Sequence, residues 1–239
     1  MTVETFRSLH HDRAPGDPLV LPGPWDAASA RAFADAGFPA LASPSAGVAS
    51  ALGYEDGQTP ADEMFAAVAR IARSVDVPVS ADVEAGYGLP PKELVARILG
   101  TGAVGCNLED SDSATKALKD PQRHADWLAE VRAEAGDRLF INARVDSFLR
   151  GVTDPAEAIA RARLYVAAGA DCVYPYAVPP EQLPLLREEI GGPINVAPLP
   201  GSPPVAELGR LGATRITFGP GLHQKAMAAV REIAEELRG

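Results

Sequence analysis

The chain has 239 residues, 46% hydrophobic and 23% charged, with a formal net charge of −10. That length suits one large domain with a full core, and the acidic balance argues against nucleic acid, whose phosphates demand clustered Lys and Arg. The segment 1–18 is polar without an apolar signal core, and no apolar run approaches the ~20 residues of a membrane span. The expectation is a cytoplasmic protein with no nucleic-acid and no membrane partner.

Strand-like and helix-like segments then alternate along the chain. The spacing predicts strands over 19–21, 40–42, 77–81, 104–108, 139–143, 172–174, 194–197 and 215–218. Helices are predicted over 27–36, 61–74, 91–99, 121–135, 155–168, 180–190, 203–211 and 221–237. Several of these helices open on Pro or an acid and end near Gly, as helix polarity prefers. Turns such as Ala168-Gly169-Ala170 and Leu211-Gly212-Ala213 lead from helix back to strand. Eight units of each kind in a single domain, 1–239, predict a (β/α)8 TIM barrel. The alternative is a doubly wound open sheet, which the lack of Gly-x-Gly-x-x-Gly after the first strand disfavours. The two cysteines, Cys106 and Cys172, lie in apolar strands and read as small buried hydrophobes, with no disulfide or zinc spacing. Two non-periodic stretches, 43–60 and 110–120, follow the second and fourth strands, where a barrel carries its active site.

The third strand runs into Asp82-Val83-Glu84-Ala85-Gly86-Tyr87-Gly88. Side chains alternate along a strand, so Asp82 and Glu84 share a face if the strand persists that far. Two like charges on one face repel, and a hard divalent cation such as Mg2+ accounts for them. The fourth strand also ends in acids, Glu109 and Asp110, and Asp56 stands in the loop after the second. The fifth strand delivers Arg144, a guanidinium suited to gripping a substrate carboxylate with two donors. Ser45, Ala46 and Gly47, after the second strand, offer backbone N–H groups for the same anion.

Five segments in order resemble the isocitrate lyase/phosphoenolpyruvate mutase superfamily. Asp82 to Gly88 resembles its Asp-x-Asp-x-Gly-Tyr/Phe-Gly signature, and Asn107-Leu108-Glu109-Asp110 its strand-four acids. Asn142-Ala143-Arg144-Val145-Asp146-Ser147-Phe148 is similar to its arginine segment; Pro24 to Ala30 and Leu52 to Asp56 also fit. The resemblance implies an enzyme dependent on Mg2+ (or Mn2+) that forms or stabilises the enolate of a small 2-oxo acid. It implies Asp82 as direct metal ligand, with Glu84, Glu109 and Asp56 acting through water. It implies Ser45, Ala46, Gly47 and Arg144 as binders of the carboxylate substrate; Asn195 is expected to join them, and Arg144, Lys116 and Tyr176 are the expected catalytic residues. It further implies a homo-oligomer that exchanges the eighth helix.

The departures narrow the reaction. Lyase members carry a Lys-x-Cys-Gly gating loop, whereas residues 110–120 contain no cysteine. Phosphonopyruvate-processing members carry a His after strand six, where this chain has Tyr174-Pro175-Tyr176. The expected activity is a C–C lyase or decarboxylase with an oxaloacetate-like substrate. The alternatives are a phosphonopyruvate hydrolase or phosphonomutase, with Lys116 on the loop, and a non-catalytic 2-oxo acid-binding protein. The histidines carry little: His10 and His11 fall in the N-terminal tail, His124 is expected on an exposed helix face, and His223 begins the last helix.

Overall fold

The computed structural model describes every residue except Met1, Asp12, Pro15 and Ser113. Eight parallel strands form a ring: β1 (Leu19–Val20), β2 (Leu41–Ser43), β3 (Val79–Asp82), β4 (Gly105–Glu109), β5 (Phe140–Val145), β6 (Cys172–Pro175), β7 (Asn195–Val196) and β8 (Arg215–Ile216). β2 to β6 pair consecutively, and β8 pairs with both β1 and β7. A parallel bridge between Val173 and Ile194 joins β6 to β7. The Ala42 N–H donates to the Pro22 carbonyl at 3.1 Å and closes the remaining seam. The expected (β/α)8 barrel therefore forms, and the open sheet does not. The strands are buried on both faces, which is why they read as apolar runs rather than alternating ones.

The helices are α1 (Val3–His11), α2 (Ala27–Asp35), α3 (Ser45–Leu52), α4 (Ala61–Ala72), α5 (Pro91–Gly100), α6 (Pro121–Ala135), α7 (Pro155–Ala167), α8 (Leu183–Ile190), α9 (Val205–Arg210) and α10 (Gly221–Arg238). Local chemistry fixes their starts. Asp120 caps α6 by accepting the Arg123 N–H at 2.9 Å, and Asp154 caps α7 through the Ala156 N–H at 2.9 Å. Pro follows each cap, where its missing N–H costs nothing. The predicted 180–190 helix splits into a 3-10 turn, Pro180–Gln182, and α8.

Two helices lie outside the prediction. α3 occupies part of the stretch read as loop. α1 occupies part of the supposed tail, and its Val3, Phe6 and His10 pack with Leu19, Leu21, Phe140 and Cys172. The His10 ring stacks on Phe140 at 4.2 Å, and His10 is only 5% exposed. His124 is also a correction: it is 2% exposed, stacked on Trp127 and edge-on to Tyr165. Cys106 and Cys172 are buried free thiols as expected. Among the described residues no helix is long and apolar enough to cross a membrane. α10 leaves Val230, Ile233 and Leu237 at 52%, 54% and 84% exposure, so its apolar stripe is not covered by its own barrel.

Candidate active site

Register at the carboxyl ends of the strands sets out the polar groups. Asp82 lies beside Asn107, and Asn107 beside Asn142. Two residues further along, Glu109 lies beside Arg144, and Arg144 beside Tyr174. Of these, all but the wholly buried Asn142 line a cavity of about 320 Å³ at the barrel mouth, the face where the loops of this fold carry chemistry. Its wall includes Ser45, Ala46, Asp56, Asp82, Glu84, Glu109, Lys116, Arg144 and Tyr176.

Asp82 is the last residue of β3, and its carboxylate accepts the Ser45 hydroxyl at 3.1 Å and the Glu84 N–H at 3.2 Å. Strand alternation does not bring Glu84 to the cavity, because β3 ends at Asp82. A left-handed turn does: Glu84 has φ +53°, Gly86 +84° and Tyr87 +54°. A Cβ on Gly86 would stand 3.0 Å from the Trp127 ring, so glycine is required there by both backbone and space. Lys116 (φ +60°) and Ala177 (φ +61°) are the other left-handed residues besides glycine among those described. Such backbone strain gathers at functional sites, and Glu84 and Lys116 here both line the cavity.

The acids are crowded and poorly neutralised. Burial pushes Asp82 above the usual carboxylate range, against the lowering effect of Arg144. Burial raises Glu84 to about 7, reinforced by the charges of Asp82 and Asp56. Burial likewise raises Glu109 to about 8, with Arg144 opposing and Asp82 adding to the shift. Among the described residues, no three His, Cys, Asp or Glu side chains converge as direct ligands of one ion. The donor set is nevertheless all hard oxygen in a walled cavity, the chemistry a hard cation takes with water completing its shell.

Arg144 is not the free fork expected of it. Its Nε donates to Asp146 at 2.6 Å and its Nη1 pairs with Glu109. Its guanidinium lies 4.4 Å over the Tyr176 ring. Among the described residues Nη2 has no protein acceptor, and Arg144 lines the cavity. Asp146 is wholly buried and also accepts the Ser111 hydroxyl at 2.6 Å. Asp110 faces away from the cavity, accepting the Asp146 N–H and the Tyr165 hydroxyl, each at 2.8 Å.

Ser45, Ala46 and Gly47 form the first turn of α3 rather than a plain loop. Pro44 precedes them and caps nothing, so their N–H groups lack helical partners. Gly47 itself does not line the cavity: a Cβ there would meet Pro44 at 2.9 Å and His223 at 3.4 Å. Asn195 is a further correction. It is wholly buried beneath the cavity, bonded to Thr217 at 3.1 Å, and Thr217 lines the wall in its place. His223 is buried against Trp25 and lies outside the wall. The loop after β4 folds back on itself, with an antiparallel bridge between Ser111 and Leu118. Lys116 reaches over the mouth, its Nζ 3.2 Å from where a Cβ on Gly57 would sit.

The cavity also contains Asn107, Arg150, Tyr174 and Thr217, which the sequence reading did not single out. Asn107 and Tyr174 were within reach, since each lies in a strand beside a residue that was chosen. Arg150 carried no signal beyond its position four residues after Asp146.

The phosphoenolpyruvate phosphomutase family profile matches residues 6–238. The chain belongs to that family. Membership makes it an enzyme of the lyase and mutase type that the motifs pointed to. An uncharacterized protein of Mycobacterium tuberculosis is 37% identical, over 94% of this chain and 87% of its own length. A solved structure from Burkholderia cenocepacia J2315, provisionally named a phosphonomutase, superposes with a TM-score of 0.92 at 39% identity. That match covers 98% of this chain and 99% of the other. An oxaloacetate decarboxylase of Bradyrhizobium sp. is 29% identical, covering 100% of this chain and 86% of its own length.

Proposed function

We propose that this protein is a Mg2+-dependent (or Mn2+-dependent) C–C lyase or decarboxylase of a small 2-oxo or 2-hydroxy carboxylate, oxaloacetate being the pattern. The observation that carries the reading is the shared cavity of Asp56, Asp82, Glu84 and Glu109, in which burial raises Glu84 and Glu109 and the Asp82 charge raises both further. Asp82 would hold the cation directly, with Glu84, Glu109 and Asp56 reaching it through water. When bound, the ion supplies a Lewis acid opposite the charge that grows on the substrate's 2-oxygen.

The chain's own residues do the rest. The first turn of α3, where the Ser45 N–H already donates to Asp82 at 3.4 Å and the Ala46 N–H beside it has no helical partner, and Arg144 Nη2 bind the carboxylate next to the 2-oxo group. In decarboxylation the C3–C4 bond breaks, its electron pair forms the enolate, and the distal carboxylate leaves as CO2. C3 then takes a proton, and Tyr176 and Lys116 are the acids at hand in the wall. Residues 110–120 close over the cavity and exclude water from the enolate. The same loop lacks the cysteine acid of isocitrate-type cleavage, which is why the reading stops at simpler C–C chemistry.

P–C bond chemistry is the second reading, favoured by Lys116 over the mouth and by the relative named as a phosphonomutase. Initial rates with Mg2+ against oxaloacetate, phosphonopyruvate and 2-methylisocitrate separate the two. Pyruvate without phosphate supports the first, phosphate or phosphoenolpyruvate formed from phosphonopyruvate supports the second, and no turnover of any of the three refutes both. We place the enzyme in the cytoplasm as a homo-oligomer, its exposed α10 stripe packing on a partner barrel.

A further inference from the structure

We propose that Arg150 is a specificity-determining residue that binds the second, distal acid group of the substrate. The inference rests on the preceding reading, in which the first carboxylate sits between the start of α3 and Arg144. Arg150 lines the same cavity, together with Leu149 beside it. Its backbone N–H donates to the Asp146 carbonyl at 2.9 Å, so the chain makes one helical turn between the two residues. Arg150 therefore stands one turn beyond Asp146 along the chain and shares the cavity wall with Arg144, within reach of the far end of a ligand that Arg144 holds.

The charge around it is incomplete. The Arg150 Nε donates to the Ser111 hydroxyl at 3.0 Å. Its carboxylate contact is Nη2 to Asp146 Oδ2 at 3.9 Å, too long for a hydrogen bond. Asp146 is already bonded by Arg144 Nε and by Ser111 Oγ, each at 2.6 Å. One buried carboxylate thus faces two guanidiniums and bonds closely to one. The Arg150 side chain is 25% exposed, so an entering anion can reach it without unpacking the wall. A guanidinium offers paired donors to either a carboxylate or a phosphonate. The class of ligand is therefore a 2-oxo acid with an acid group at the far end, as against a monoacid such as pyruvate.

For a decarboxylation this placement has a kinetic signature. The distal carboxylate is charged in the ground state and leaves as neutral CO2. Arg150 then stabilises the bound substrate more than the transition state, so it lowers KM and does not raise kcat.

The test compares wild type with Arg150→Met and Arg150→Lys in Mg2+, using oxalate, oxaloacetate and phosphonopyruvate. Calorimetry gives affinities, and initial rates give KM and kcat wherever there is turnover. Oxalate has no distal arm and reports whether the floor is intact. The proposal expects Arg150→Met to leave oxalate affinity unchanged, to weaken oxaloacetate or phosphonopyruvate by roughly 10- to 100-fold, and to leave the oxaloacetate kcat equal or higher. Arg150→Lys recovers part of the loss. Whichever of the two longer ligands loses more identifies the distal group as carboxylate or phosphonate. Equal weakening of oxalate and oxaloacetate would make Arg150 a support for Asp146 and overturn the proposal, as would no change in either. Wild type that binds none of the three overturns the underlying reading of the site as well, and that outcome is distinct from the other two.

Discussion

Replacing His10 with Phe should remove about 2 kcal/mol from the protein's loss of stability between pH 7 and pH 5. The His10 Nδ1 donates to the Phe6 carbonyl at 2.7 Å, which leaves Nε2 as a buried acceptor without a partner. Burial, reinforced by the nearby Arg215 charge, lowers its pKa from 6.5 to about 3, with His11 and Arg13 adding smaller repulsions. The folded-state pKa lies below the unfolded one. The contribution is therefore fully present above pH 6.5 and is lost as pH falls toward 3, because the unfolded chain takes the proton first. At 1.36 kcal/mol per unit, the loss between pH 7 and pH 5 is about 2 kcal/mol. A phenyl ring keeps the packing against Phe6 and Phe140 and brings no proton site. Urea unfolding at both pH values, for wild type and His10→Phe, reads the difference directly. Buried His124, also lowered to about 3, and the carboxylates titrating in the same range contribute alike to both proteins and cancel. A variant that loses as much stability as wild type between pH 7 and 5 would refute the assignment of a neutral, buried His10.

Three further outcomes follow from the site and the surface. Arg144→Lys keeps one charge but cannot serve Glu109, Asp146 and a ligand at once, so kcat/KM should fall by at least 10-fold without recovery at high substrate; near-normal kinetics would remove Arg144 from the site. Cleavage by trypsin at Lys116 should slow when Mg2+ and oxalate are added, because the loop closes over the ligand; equal cleavage with and without ligand argues against a lid. Sedimentation equilibrium should show a species larger than the 25.0 kDa chain, and Val230→Asp/Ile233→Asp should shift it toward monomer; a monomer at every concentration would show that the α10 stripe has no partner copy.

The barrel was legible because its strands are buried on both faces and its helices carry Pro and Asp at their starts, signals written locally in the sequence. The Asp82 to Gly88 segment was legible for the same reason. The route by which Glu84 reaches the cavity was not, since a left-handed φ at a glutamate is not a preference its residue type announces. α3 was hidden because Ser45, Ala46, Gly47 and Ala49 are small residues that also suit turns, and Pro44 offers no cap. α1 was hidden because its inward stripe is narrow and ends on a histidine. Burial of His10, His124 and Arg215 is a property of what packs around them, and residue type alone predicts the opposite. Asn195 and Gly47 do not line the cavity wall, because strand position fixes the end of the barrel but not which side chain reaches its axis.

The proposed chemistry stands on an oxygen-lined cation site built on Asp82. Its most direct test is calorimetric titration of oxalate into wild type and Asp82→Asn, with Mg2+ and with the metal removed by chelation. The account predicts binding by wild type only when Mg2+ is present, and binding weakened at least 100-fold or abolished in Asp82→Asn, since a site with one direct protein ligand cannot spare it. Equal oxalate affinity with and without Mg2+, or an Asp82→Asn protein that binds Mg2+ and oxalate like wild type, would contradict it.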